Sequence, residues 1–267
     1  MIKRLLVVII LIPVGIGLIA LGGPVYAVFI AAILGTAGWE FDRMARVDGY
    51  QPSRVLLMGG TAALALARAF LSAENSLAVL AALVMIAMTR HLVAYERGRE
   101  KAATDFSITL GGLLYLGLLG SYLVMLRNLE DGKWLVLIVL PAIWIADSAA
   151  MMIGSHWGKH AMAPRLSPHK TWEGYFAGVL GGALGGWALT ALWGLAAPAL
   201  IPWKGALLGL VLGAVTPFGD LGESMIKRQA GMKDSSHIIP GHGGVMDRID
   251  SWLWAAAIGF YWILWLW

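Results

Sequence analysis

The sequence predicts an all-α, polytopic integral membrane protein, and three observations carry that expectation. Of its 267 residues 59% are hydrophobic and only 13% charged, about half the charged share of a soluble domain. Mean hydropathy is +0.74, and the apolar residues fall in uncharged runs of about 17 to 25 residues, long enough to span a bilayer as helices. Basic residues collect on alternate connections, as the positive-inside rule requires. A β-barrel would instead show short alternating segments. The absence of Cys excludes a disulfide-stapled module, thiolate catalysis, thiolate-bound zinc and iron–sulfur clusters. The basic balance is read as orientation, with no nucleic-acid partner expected.

Residues 5–39 carry no charge, and Gly22-Gly23-Pro24 interrupts them, so two helices joined by a tight turn are expected. Lys3-Arg4 before the run and Val25-Tyr26-Ala27 within it have the look of a cleaved signal. The run continues to Trp39, however, and a retained hairpin is the expectation. Further spans are placed at about 55–73, 76–93, 106–126, 134–154, 174–197, 204–221 and 250–267, which makes nine. The chain then divides into an N-terminal hairpin with its inner loop (1–54), middle helices (55–132) and a catalytic region (133–267) with inner loops 155–173 and 220–250.

With Lys3 and Arg4 inside, the inner connections also receive Arg43, Arg46, Arg54, Arg90, Arg97, Arg99, Lys101, Lys159, Arg165, Lys170, Lys227, Arg228, Lys233 and Arg248. That is 16 of the 20 basic residues, so the N-terminus is expected in the cytoplasm and the C-terminus outside. Trp262, Trp265 and Trp267 would form an interfacial belt. Gly178/Gly182/Gly186 and Gly205/Gly209/Gly213 recur every four residues, stripes that let helix backbones approach closely.

Carboxylates inside a span are costly and point to function. Asp147 lies 14 residues into the sixth span, roughly 20 Å from its outer end at 1.5 Å per residue. Asp220 and Glu223 are spaced i, i+3, as are Asp247 and Asp250, so each pair shares one helix face. Oxygen-only ligands of this kind suit Mg²⁺ or Mn²⁺, which bind phosphates as well. Between the pairs run Ser224, Lys227, Arg228, Lys233 and the stretch Pro240-Gly241-His242-Gly243-Gly244. Cationic side chains and close-approaching backbone amides are what phosphate oxygens need. No Gly-Lys-Ser/Thr follows the glycines, so this is not a Walker A loop. The earlier loop sets Lys170, Thr171 and Glu173 before the seventh span, where they read equally as an N-cap with inner-face charge. His156, His160, His169, His237 and His242 share no compact metal spacing, and zinc is not expected. The whole suggests metal-assisted phosphate chemistry on a lipid at the inner membrane face.

Residues 224–250 resemble the signature of the phosphatidate cytidylyltransferase (CDP-diacylglycerol synthase) family. Its fixed positions are filled here by Ser224, Lys227, Arg228, Lys233, Asp234, Pro240, His242, Gly243, Gly244, Asp247, Arg248 and Asp250. Gly219-Asp220-Leu221 with Glu223, and Ser167-Pro168 with Lys170, Thr171, Glu173 and Gly174, are similar to its other motifs. Met151 and Ser155 depart from the Tyr and Arg common there after the aspartate, which puts any role of those side chains in doubt without touching the carboxylates. The resemblance implies CMP transfer from CTP to phosphatidic acid, an Mg²⁺ requirement, a homodimer, and a bacterial inner membrane with the site facing the cytoplasm.

On that reading Asp147, Lys227, Asp247 and Asp250 are the expected catalytic residues, and Asp220, Glu223, Asp247 and Asp250 the metal ligands, with a second cation such as K⁺ beside Mg²⁺. Lys170, Thr171, Glu173, Ser224, Arg228, Lys233, His242, Gly243, Gly244 and Arg248 are expected to hold CTP or phosphatidate. Two other functions use similar parts. A CTP-dependent kinase of polyprenol-type lipids would transfer the γ-phosphoryl group and release CDP, and the 224–250 string disfavours it. A cation-coupled transporter would use the membrane acids as a pathway, yet they gather at one face and no repeated half with paired broken helices is evident.

Overall fold

A computed structural model describes residues 2–241 and 243–267, with the side chains of 2–8, 10 and 73 outside that description. Lys3 and Arg4, used above for orientation, and His242 therefore lie outside the described side chains. The chain forms two compact units, one of Met1–Asn128 with Ile226–Ile249 and one of Leu129–Met225 with Asp250–Trp267.

The first unit begins with α1 (Ile2–Leu21) and α2 (Gly23–Val47). Gly22 and Gly23 both have positive φ, 63° and 56°, so the expected turn sits where the sequence broke the run. Arg127 closes the end of α1: its Nε donates to the Ile19 carbonyl at 2.6 Å, a group the helix itself leaves unpaired. α2 runs past Trp39 for two more turns to Val47 and buries Glu40 and Asp42. A π-helical turn at Leu56–Gly60 leads into α3 (Thr61–Phe70). There Gly38 of α2 lies against the Leu57 carbonyl with no room for a Cβ, and the Thr61 hydroxyl lies 2.7 Å from Leu57 O and 3.0 Å from Leu34 O. α4 (Ala73–Glu96) is capped by Ser72. α5 (Ala102–Gly112) passes through a second π turn, Leu113–Leu118, into α6 (Leu119–Asn128).

The second unit is built on α7 (Gly132–Trp157), a short hairpin of β1 (Ala161–Ala163) and β2 (Ser167–Thr171), α8 (Trp172–Trp193) and α9 (Pro202–Val215). α10 (Pro217–Gln229) and α11 (Met246–Leu266) are each divided between the units, after Met225 and after Ile249. The two glycine stripes serve packing. A Cβ on Gly182 would strike the Gly209 carbonyl, and one on Gly186 the Gly205 carbonyl, so α8 and α9 touch backbone to backbone. Gly186→Val should therefore cost about 1–3 kcal/mol by overpacking, read as a lowered midpoint of thermal unfolding; an unchanged midpoint would remove the glycines' packing role. Pro141 inside α7 deprives Leu137 O of its helical donor. The Trp193 indole N–H replaces it at 3.3 Å.

Among the described residues seven helices are long and apolar enough to cross a membrane: Gly23–Val47, Glu74–Glu96, Ala102–Asn128, Gly132–Trp157, Trp172–Trp193, Pro202–Gln229 and Met246–Leu266. The chain is thus an all-α polytopic membrane protein, apart from the one small hairpin. The sequence placed nine spans; the other two correspond to shorter apolar helices, Leu11–Leu21 and Leu56–Phe70. The eighth span, expected as one helix over 204–221, is broken at Thr216-Pro217, because Pro217 cannot continue α9 but is well placed to open α10.

Candidate active site

Asp247, in the first turn of α11, is held on both oxygens. Its Oδ1 accepts from Lys227 Nζ at 2.6 Å, and its side chain is only 6% exposed. Oδ2 accepts from the Ser235 amide at 3.0 Å, the Ser235 hydroxyl at 2.9 Å and the Gly244 amide at 2.7 Å. The loop supplying these donors turns tightly: Ile239 N–H donates to Gly243 O and Gly243 has φ +80°. A side chain there would combine a strained φ with contact on Asp247 Oδ2. The Gly244 amide is thus committed to Asp247, a brace of the loop.

Beneath the same loop lies Glu40, at 0% exposure. Oε1 accepts from the Ser236 hydroxyl and from Val245 N at 2.9 Å; Oε2 accepts from the Ser235 hydroxyl at 3.1 Å and Met246 N at 2.7 Å. The two amides, Val245 just before α11 and Met246 its first residue, lie at the helix N-terminus, where unpaired N–H groups and the helix dipole both favour a negative charge. No ion pair to Glu40 is present among the described residues, so neutral donors hold it: two amides, the Ser236 hydroxyl and the Ser235 hydroxyl, whose one proton is shared between Glu40 and Asp247.

In the second unit Lys170 Nζ lies 2.7 Å from Asp220 Oδ2, and the Ser224 hydroxyl is 3.4 Å from Asp220 Oδ1 on the next turn of α10. Asp147 is accessible and stands within electrostatic reach of Lys170, Asp220 and Asp250. Four expected site residues are thereby brought into one neighbourhood. Glu223 is fully buried. The other two expected site residues of the 155–173 loop, Thr171 and Glu173, have structural partners. Thr171 accepts from the Gly174 amide at 3.2 Å as the N-cap of α8. Glu173 clamps the hairpin through His160 Nδ1 at 2.6 Å.

A profile described as "Cytidylyltransferase family" matches residues 2–267. The chain belongs to the cytidylyltransferase family. It is similar to a protein named phosphatidate cytidylyltransferase from Pseudomonas aeruginosa, 38% identical over 273 residues covering 98% of this chain and 96% of the relative. A protein of the same name from Synechocystis is 32% identical, again over 98% of this chain and 96% of its own length. One from Brucella suis is 40% identical over 148 residues, which span 55% of this chain and 53% of the relative.

In this cytidylyltransferase the cations divide into two groups. Lys170 and Lys227 neutralise Asp220 and Asp247. Arg228, Lys233 and Arg248 are exposed and form no ion pair among the described residues, which leaves their charge for an anionic ligand. The carboxylates are hard oxygen donors, the type Mg²⁺ takes, and so fit that ion in chemistry. Among the described residues no three His, Asp or Glu side chains converge as a ready ligand set. Sequence reasoning missed Glu40, Ser235 and Ser236. The available signal was Glu40 as the first charge after the uncharged run 5–39, at a point where the expected span ends and the helix continues for two more turns.

Proposed function

We propose that the chain transfers CMP from CTP to phosphatidic acid, giving CDP-diacylglycerol and pyrophosphate in phospholipid synthesis. The observation that carries this reading is the lysine-neutralised Asp247, fixed by the loop whose sequence bears the family signature, in a chain related over nearly its full length to proteins named for that activity. The further placement rests on two things: the uncharged runs and charge pattern support nine spans, N-terminus and site on the cytoplasmic side and C-terminus outside, and the family resemblance supports a homodimer in a bacterial inner membrane.

Phosphatidate carries a phosphomonoester whose second pKa is about 6, so its oxygen is already a nucleophile near neutrality. That oxygen forms a bond to the α-phosphorus of CTP while the bond to the bridging oxygen of the β-phosphate breaks, and pyrophosphate departs with the electron pair. No strong base is required; the barrier is the approach of two polyanions, so neutralisation and positioning dominate. Arg228, Lys233 and Arg248 bind the phosphates. Lys227 and Lys170 set the orientation of Asp247 and Asp220. Asp147 lines the same surroundings as Lys170 and Asp220. Asp220, Asp247 and Asp250, with Glu223 in support, would hold Mg²⁺ or Mn²⁺ and a second cation such as K⁺. When bound, the ions supply positive charge to the leaving pyrophosphate.

The test is pyrophosphate release by purified protein in detergent. Release should require CTP, phosphatidic acid and Mg²⁺ together, with CDP-diacylglycerol as the lipid product, and EDTA should abolish it. CDP without pyrophosphate on a lipid alcohol would replace this function with the kinase. Silence from folded protein in both assays would remove both enzymatic readings.

A further inference from the structure

A second basic site lies in the first unit, lined by none of the described residues of α10, α11 or the loop that joins them. Where the C-terminal ends of α2 and α4 meet the start of α5, a cavity of about 480 Å³ is lined by Arg46, Arg90, Arg97, Arg99, His91 and Asp105, with Gln51, Thr89, Val93 and Ala94 completing its wall. The floor is a fixed network. Asp105 accepts from Arg99 Nε at 2.7 Å and from Gln51 N at 2.7 Å. Thr109 Oγ donates to Asp105 O at 2.8 Å and accepts from Ser53 N at 2.9 Å. With its one proton so used, it is the acceptor for buried His91 Nε2 at 3.1 Å. Arg46 is held by Asp42 at 2.8 Å.

These contacts neutralise Arg46 and Arg99 and leave two charges over. Arg90 and Arg97 are exposed and form no ion pair among the described residues; Glu96 and Glu100 do not line the cavity. Guanidinium groups around a polar floor are the donor arrangement that grips a phosphate. The wall on α4 supplies a second observation. Thr89, Arg90, Val93, Ala94 and Arg97 share one helix face, and Met85 and Ile86 continue that face one turn earlier at 64% and 53% exposure. α4 is an apolar membrane-spanning helix only 17% buried. The cavity wall at Val93 and Ala94 is thus continued along α4 by an exposed apolar stripe, with the cationic Arg90 and Arg97 beside it.

We propose that this cavity is a non-catalytic binding site for an anionic phospholipid, its phosphate held by Arg90 and Arg97 and an acyl chain lying along Met85 and Ile86. A soluble phosphate would use the arginines but not the apolar stripe, and the stripe favours the lipid. The site stands independently of the catalytic reading, since nothing in it depends on CTP.

The experiment uses the full chain in non-ionic detergent, titrated with phosphatidylglycerol, an anionic lipid that is not the proposed substrate, with bound lipid counted by native mass spectrometry. Each basic residue near an anionic headgroup contributes roughly a five- to sixfold factor. Arg90→Ala/Arg97→Ala should thus bind about thirtyfold more weakly, while turnover of CTP and phosphatidic acid stays at the wild-type rate. Arg97→Gln alone, a milder change at an exposed position, should weaken binding about fivefold and keeps the test decisive if the double variant unfolds. Phosphatidylcholine should not compete. Equal phosphatidylglycerol binding by wild type and variants would overturn the site. Displacement of the lipid by millimolar inorganic phosphate or CTP would assign the arginines to a soluble anion and overturn the lipid.

Discussion

Asp247→Asn should lower pyrophosphate release by about 10²- to 10³-fold, the range expected when a preorganised charged group is lost from a site of charge transfer. The reason lies in its partners. Oδ1 faces an ammonium group and Oδ2 faces two backbone amides and a hydroxyl. An asparagine must set its NH₂ against one of those donor sets. Turned toward Lys227, its NH₂ opposes the ammonium that the carboxylate had paired, and breaking a buried pair in this way costs about 3–5 kcal/mol. Turned toward the loop, it opposes the Ser235 and Gly244 amides. Either way the loop loosens as the carboxylate is lost, while the helical packing of both units is untouched. The variant should insert and purify like wild type, with a lower unfolding midpoint and almost no turnover. Full turnover at saturating Mg²⁺ would remove Asp247 from the machinery.

What the sequence disclosed here was local. Uncharged runs announced the helices, Gly22-Gly23 announced the first turn, and the i, i+4 glycines announced the α8–α9 contact, because each of these is written within a few residues of where it acts. Thr171 was legible as an N-cap for the same reason. Where a decision depended on a partner distant in sequence, the pattern was silent. Glu40 and Ser235 are 195 residues apart, and no periodicity links them. Lys170 and Asp220 were each picked out, but the pairing of ammonium with carboxylate belongs to the folded second unit. The π turns at Leu56–Gly60 and Leu113–Leu118 were not read from the sequence, although both segments contain glycine, a weak helix former. The break at Thr216-Pro217 did carry its signal in Pro217, masked by apolar residues on both sides that read as one continuous span.

The two loop carboxylates also differ in what they ask of the chain, and that difference makes Glu40 testable. Asp247 meets a cation and keeps a small exposed fraction; Glu40 meets only neutral donors and is fully buried. Glu40 is therefore a positioning residue, acting through Ser235, Ser236 and the first turn of α11. In Glu40→Gln the serine hydroxyls can reverse and accept, but one backbone amide, Val245 or Met246, must face the new NH₂. Losing a hydrogen bond to a charged acceptor and leaving a buried donor unpaired costs roughly 2–3 kcal/mol. Turnover should fall about 10- to 100-fold if that displacement reaches Asp247, whose Oδ2 shares Ser235 with Glu40. A purely structural glutamate would lower the unfolding midpoint and leave kcat of the folded fraction intact. Hydrogen exchange separates the cases: the Val245, Met246 and Gly244 amides should exchange faster in Glu40→Gln, while those of α2 and α3 keep wild-type protection. Unchanged exchange at Gly244 together with unchanged kcat would confine Glu40 to holding α11 in place. Faster exchange there with reduced kcat would make the 235–247 loop one cooperative element, braced from α2 and carrying Asp247 at its far edge.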